Sequence, residues 1–272
     1  MTSTTLEPLP VTLAGGTDHP AVHATLASLP KYFRPATPGG PTTGTVAAVP
    51  TLTALRAALD ARPTGILLAG VAGVAGVAAG GVADVRELAG RAAAAGVPVV
   101  VAGPWALDPA VAALAGALDA EDASLIEVTA TVPAGSSPPD VLLDQLALLR
   151  TAIGPARAVE VIQADAHGHL ARAHVGDVPV HLAAAVSGLG TRRARLDVLG
   201  PAVQWRLSFP DPATARPATV ARTDADGERL LPTLYESAYR AAWRHLHAAV
   251  TDGATPPYSL HDLADDLDLL HN

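Results

Sequence analysis

The 272-residue sequence contains no cysteine, which excludes disulfides, thiolate nucleophiles and cysteine-ligated zinc. Lysine is almost as scarce. Lys31 is the one lysine among 18 basic residues, so any mechanism that needs an ammonium group has a single candidate. Positive charge is sparse as well: the formal net charge is −8, and the densest basic run is Thr191-Arg192-Arg193-Ala194-Arg195. Phosphate-backbone binding needs many convergent cations, so nucleic acid is excluded as a partner. The longest apolar run, Gly65 to Ala83, is broken by six glycines and reads as a strand plus a loop, not a membrane span. The first residues lack a basic segment followed by an apolar core, so the expectation is a protein without a signal peptide, cytoplasmic and off the membrane.

What is present is a core-forming chain. Apolar residues reach 49% and charged residues 16%, enough to bury one large or two modest domains. Residues 11–14 read as a short strand, followed by a helix from Pro20 to Leu29. Residues 34–50, rich in proline and glycine, read as a loop or an eroded strand. Helices are predicted over 51–61, 82–95 and 107–118, with buried strands over 65–69 and 97–102. Strands alternating with helices indicate a parallel sheet with crossover helices. After residue 122 the pattern changes. A strand over 124–132 and a helix over 139–153 lead into five strands between 158 and 209, read as an antiparallel meander. A polar loop over 210–230 and two C-terminal helices complete the chain. The predicted fold class is α/β: a Rossmann-like parallel-sheet domain over 1–122, then an α+β domain over 123–272 with an open antiparallel sheet.

Three segments in this order resemble the Gfo/Idh/MocA oxidoreductases. Val11 to Pro30 is similar to that family's first strand, its G-x-G-x-x-G turn and a helix bearing a histidine, here His23. Gly96 to Pro104 sits where the family has a strand ending in Glu-Lys-Pro. Gly135 to Gly154 resembles a glycine-rich entry to a helix carrying Asp and, four residues later, His. The stretches Leu196 to Pro201 and Tyr235 to Gly253 add to the likeness.

The sequence departs from the family where the chemistry sits. Of the three fingerprint glycines only Gly15 is kept, with Thr17 and Pro20 at the other two positions. Those glycines let the backbone approach a pyrophosphate and let helix and strand pack. No acidic residue for a ribose occurs between Tyr32 and Pro38. The Glu-Lys pair falls on Ala102 and Gly103, and the histidine falls on Asp144, while Asp140 matches the upstream aspartate. The expectation is therefore a divergent, shortened relative that uses no coenzyme and acts on a small metabolite by acid/base chemistry in bacterial biosynthesis. Two alternatives stand beside it: an atypical NAD(P)-dependent reductase, touching its dinucleotide through Gly15, Gly16 and Thr17, and a non-catalytic scaffold protein. The resemblance also implies a homo-oligomer built through the open sheet.

Asp140 and Asp144 are four apart, hence on one helical face. Either their mutual repulsion separates an acid from a base, or they are aspartates favoured in a first helical turn. Trp105 and Pro104 follow a sheet strand and either wall a substrate pocket, together with His23, or belong to the core. The Gly15–His19 segment is a tight turn or an anion site that Asp18 disfavours. His167, His169, His174 and His181 lie on the meander, with no third ligand to make a metal site, so no metal is expected. The acidic last helix reads as a solvated face docked by its leucines.

Overall fold

The computed structural model describes residues 7–13, 20–37, 44–69, 81–118 and 123–271. Its contacts divide the chain into two compact units, residues 1–102 with 242–261 and residues 103–241 with 262–272. Residue 122, the expected boundary, lies outside the described residues.

The first unit is built on five parallel strands in the order β2-β1-β3-β4-β5. They are β1 (Leu9–Leu13), β2 (Phe33–Pro35), β3 (Val46–Val49), β4 (Gly65–Ala69) and β5 (Val99–Ala102). The helices α1 (Pro20–Ala27), α2 (Leu52–Asp60) and α3 (Val82–Ala95) follow β1, β3 and β4. Every residue of β3 and β5 is buried, as expected of strands covered on both faces. Thr51 caps α2, its hydroxyl accepting from the Ala54 amide, and Gly96 ends α3 with a left-handed backbone.

The segment 34–50, read as a loop or an eroded strand, holds most of β2 and all of β3. Strands of three and four residues give little periodicity, and the neighbouring prolines and glycines mask them. Pro35 is tolerated because β2 is an edge strand, where a missing amide costs no ladder bond. Because β2 and β3 flank β1 on opposite sides, the carboxyl ends of β1 and β3 form a topological switch point, where open α/β sheets bind their ligands.

The second unit carries an eight-stranded sheet in the order β13-β12-β11-β10-β6-β9-β8-β7. Its strands are β6 (Leu125–Pro133), β7 (Arg157–Asp165), β8 (Gly168–Val175), β9 (Val178–Ser187), β10 (Arg193–Leu199), β11 (Gln204–Phe209), β12 (Thr219–Asp224) and β13 (Gly227–Leu230). This is not a simple meander. β6 enters the middle of the sheet, parallel to β9 and antiparallel to β10. The polar loop read over 210–230 contains β12 and the β13 hairpin, whose turn is held by Asp224 accepting from the Asp226 amide.

The helices of this unit are α4 (Pro109–Ala117), α5 (Pro138–Ala152) and α7 (Leu260–His271), while α6 (Ala238–Thr251) begins here and ends in the first unit. α5 lies on one face of the sheet with 11 of its 15 residues buried. The opposite face carries Glu127, Thr129 and Thr131 in register with Asp197, Arg195 and Arg193, and Asp197 is buried between Arg195 and Arg206. No helix among the described residues is long and apolar enough to cross a membrane.

Candidate functional site

The N-terminal half of α5 gathers the polar groups of the second unit. Pro138 and Pro139 open the helix, where their missing amides leave no bond unmade. Asp140 and Asp144, one turn apart, are only 7% and 8% exposed. Asp140 takes a hydrogen bond from the Ser137 side chain, and its Oδ1 is buried with no partner among the described residues. Burial holds its pKa above the usual carboxylate range, with the Ser137 bond working the other way.

Asp144 is pushed further, to about 8. Burial is the main cause and the neighbouring Asp140 adds to it, while Arg192 opposes. Arg192 approaches with Nη1 at 3.4 Å from Asp144 Oδ2, long for a charge-assisted bond. Gly103 leaves room on the other side: a Cβ at that position would lie 3.9 Å from Asp144 Oδ1.

Arg192 also sits over the ring of Trp105, 5.9 Å from its centroid. Trp105 itself is buried and tilts against Phe209 at 6.5 Å between centroids. Beside them opens a cavity of about 260 Å³ lined by Pro104, Trp105, Asp108, Arg192, Phe209 and Glu236, among others. Asp108 caps α4 through the Ala110 amide, and burial raises its pKa to about 6.

A second polar pair fixes the helix to the sheet. Gln145, fully buried, donates to the Val128 and Ala183 carbonyls. Its Oε1 is thereby turned to His169, whose Nε2 lies 2.7 Å away and is the protonated ring nitrogen. Burial lowers the pKa of His169 to about 4, against a pull from the Pro138 carbonyl, so the ring is neutral. Gly168 makes this possible. Its φ is +145°, and a Cβ there would fall 1.9 Å from the Ala184 carbonyl oxygen, so no other residue admits this crossing of β8 and β9.

The structure thus brings Asp140, Asp144, Pro104 and Trp105 into one unit, the last two on the cavity wall. His23 lies elsewhere, exposed on α1 and absent from that lining. Gly15, Gly16 and Thr17 lie outside the described residues. The histidines are dispersed. His167 is in the turn before β8, His169 points to α5, and His174 and His181 lie on the opposite sheet face, His181 at 3.8 Å from Glu127. Among the described residues no three His, Asp or Glu side chains are grouped to hold a metal. The sequence reading missed Arg192, Asp108 and the Gln145–His169 pair. Arg192 belongs to the one basic run in the chain, and that run was the signal.

No protein-family profile matches the chain, and no curated protein matches it in sequence. Solved structures match over nearly the full length. One is GenD2 from gentamicin A biosynthesis in complex with NAD, 16% identical, with 99% of this chain and 94% of that one covered and a TM-score of 0.67. Another is an inositol dehydrogenase homologue from Azotobacter vinelandii, complexed with NADH and myo-inositol (12%, 98% and 94%, 0.70). A third is KijD10, a 3-ketoreductase from Actinomadura kijaniata, complexed with TDP-benzene and NADP (14%, 97% and 96%, 0.67).

The fold is that of the Gfo/Idh/MocA oxidoreductases. At these identities the likeness establishes the fold alone. It also corrects one expectation. A chain working without coenzyme was anticipated from the missing glycines, lysine and ribose carboxylate, yet Gfo/Idh/MocA-type chains that align over 94–96% of their length hold NAD, NADH or NADP.

Proposed function

We propose that this chain is an NAD(P)-dependent oxidoreductase acting on a hydroxyl or carbonyl group of a small metabolite. The observation that carries the reading is Asp144, a carboxyl that falls at the Gfo/Idh/MocA histidine position, buried with only a 3.4 Å approach from Arg192, its pKa pushed up by burial to about 8. A proton donor or acceptor works best with a pKa near the operating pH. Burial brings this carboxyl up into the neutral range.

The topology of the first unit supports this reading, because the switch point at the ends of β1 and β3 is where open α/β sheets bind ligands. Gly15, Gly16 and Thr17 follow β1 and are the residues assigned to the pyrophosphate. Where the ribose carboxylate is absent, β2 carries Arg34, which favours the 2′-phosphate of NADP over the bare hydroxyl of NAD. The coenzyme, when bound, gives or takes the hydride. Asp144 holds the proton that leaves or joins the substrate oxygen. Asp140, one helical turn away and itself raised by burial, adds to the upward shift that keeps this proton on Asp144. Gln145 and His169 position Asp144 by locking the next residue of the helix to the sheet.

Association of copies through the open sheet face and a cytoplasmic location belong to the same proposal, and both rest on the fold resemblance. Titration of NADPH and NADH against tryptophan fluorescence tests the reading. Saturation in the micromolar range is expected, NADPH binding more tightly, with the preference reduced about tenfold in Arg34→Gln. Failure of both coenzymes to bind refutes it.

A further inference from the structure

We propose that the cavity walled by Trp105 and Arg192 selects a small substrate bearing a carboxylate, which Arg192 holds across the face of Trp105. The proposal rests on the oxidoreductase reading and names the substrate class of that same site.

Arg192 is under-used where it stands. A guanidinium has five N–H donors in a planar fork, and among the described residues this one meets a single carboxylate oxygen at 3.4 Å and one aromatic face. Arg150, in the same unit, shows the alternative. It directs Nε and Nη2 at Asp266 Oδ1, 3.0 and 2.6 Å away. Arg192 has no such closure, and its side chain keeps 24% of its surface exposed on the cavity wall. Its one acidic neighbour carries a proton through much of the neutral range, which leaves the guanidinium charge largely unbalanced.

The other charged groups of the lining are differently placed. Asp108 is engaged at the start of α4, and Glu236 faces Arg240 at 3.6 Å. Arg216 adds a second cation at the exposed rim. A planar anion presented to Arg192 would find both fork nitrogens, a geometry that fits carboxylate bidentately. Trp105 holds the guanidinium plane in place. The volume, about 260 Å³, is below the roughly 300–1,000 Å³ of drug-sized sites, which restricts the ligand to a small metabolite.

The test uses the full chain without coenzyme and matched probes: glycerate against glycerol, pyruvate against hydroxyacetone, and inorganic phosphate. Binding is read by ligand-observed NMR with wild type, Arg192→Gln, Arg192→Lys and, as a surface control, Arg193→Gln. The expected result is that both carboxylates bind at least tenfold more tightly than their uncharged partners. Arg192→Gln should lose that margin, roughly 10- to 100-fold, Arg192→Lys should keep part of it, and Arg193→Gln all of it. Equal binding of acid and alcohol, no carboxylate binding by wild type, an unchanged Arg192→Gln, or tighter binding of phosphate than of either carboxylate overturns the proposal. Lack of coenzyme binding would remove the proposed reaction and leave this result untouched.

Discussion

The two ends of α5 treat buried carboxyl groups in opposite ways. Near its C-terminus, Arg150 reaches the fully buried Asp266 with two short hydrogen bonds and lies 3.5 Å from Asp262. Near its N-terminus, Asp144 is almost as buried but is met by one distant guanidinium nitrogen, and Asp140 leaves an oxygen unpartnered. The first arrangement completes a charge pair, so its role is structural. The second leaves a carboxyl short of counter-charge, and burial then moves its proton affinity toward neutrality. A buried acid is read as chemical or structural by the quality of its pairing, not by its depth.

The largest effect separates the two ends by function. Asp144→Asn, which keeps shape and removes titration, should lower turnover with coenzyme by about 10²- to 10⁴-fold while unfolding at the same urea concentration or higher. Turnover within a factor of three of wild type would make the N-terminal pair structural too.

The next effect separates them by stability. Asp266→Ala removes the two hydrogen bonds that Arg150 makes to Asp266 and leaves it the 3.5 Å approach to Asp262, and should cost about 1.5–3 kcal/mol in urea unfolding. A loss under 1 kcal/mol would mean that water replaces the pair freely, which erases the contrast.

A smaller effect is the pH dependence of stability. Folded Asp144 keeps its proton up to about 8, whereas the unfolded chain releases it near 3.8. Stability therefore falls as pH rises through that window. Asp108, raised to about 6, contributes only to the lower part, so the slope between pH 6 and 8 should become shallower in Asp144→Asn. His169 works in the other direction. Neutral in the fold down to about 4 and protonated in the unfolded chain below 6.5, it removes stability as pH falls, and Asp144→Asn should leave this limb in place.

Much of this arrangement is visible in the sequence. The apolar runs Gly65–Ala69 and Val97–Ala102 read as buried strands because nothing polar interrupts them, and the Pro139-to-Gly154 helix is marked by its own terminal residues. The spacing of Asp140 and Asp144 places them on one face. Three features escape sequence reasoning for identifiable reasons. β2 and β3 are too short to show a period. The parallel pairing of β6 with β9 joins residues more than fifty apart, which no local pattern encodes. Arg192 reaches Asp144 from the loop before β10, across 48 positions, so its basic run reads only as a surface cluster until the sheet is assembled. The weight placed on missing glycines misled, since chains of the same fold over nearly the full length hold NAD, NADH or NADP.

Carbon-13 NMR titration of the aspartate carboxyls, with Asp144→Asn used to assign the resonance, measures the proton affinity on which the account depends. A resonance lost in that variant and titrating with a midpoint between 7 and 9 is the predicted result. A midpoint below 5 would contradict the account, because Asp144 would then be an ordinary ionised carboxylate with no proton to exchange at neutral pH.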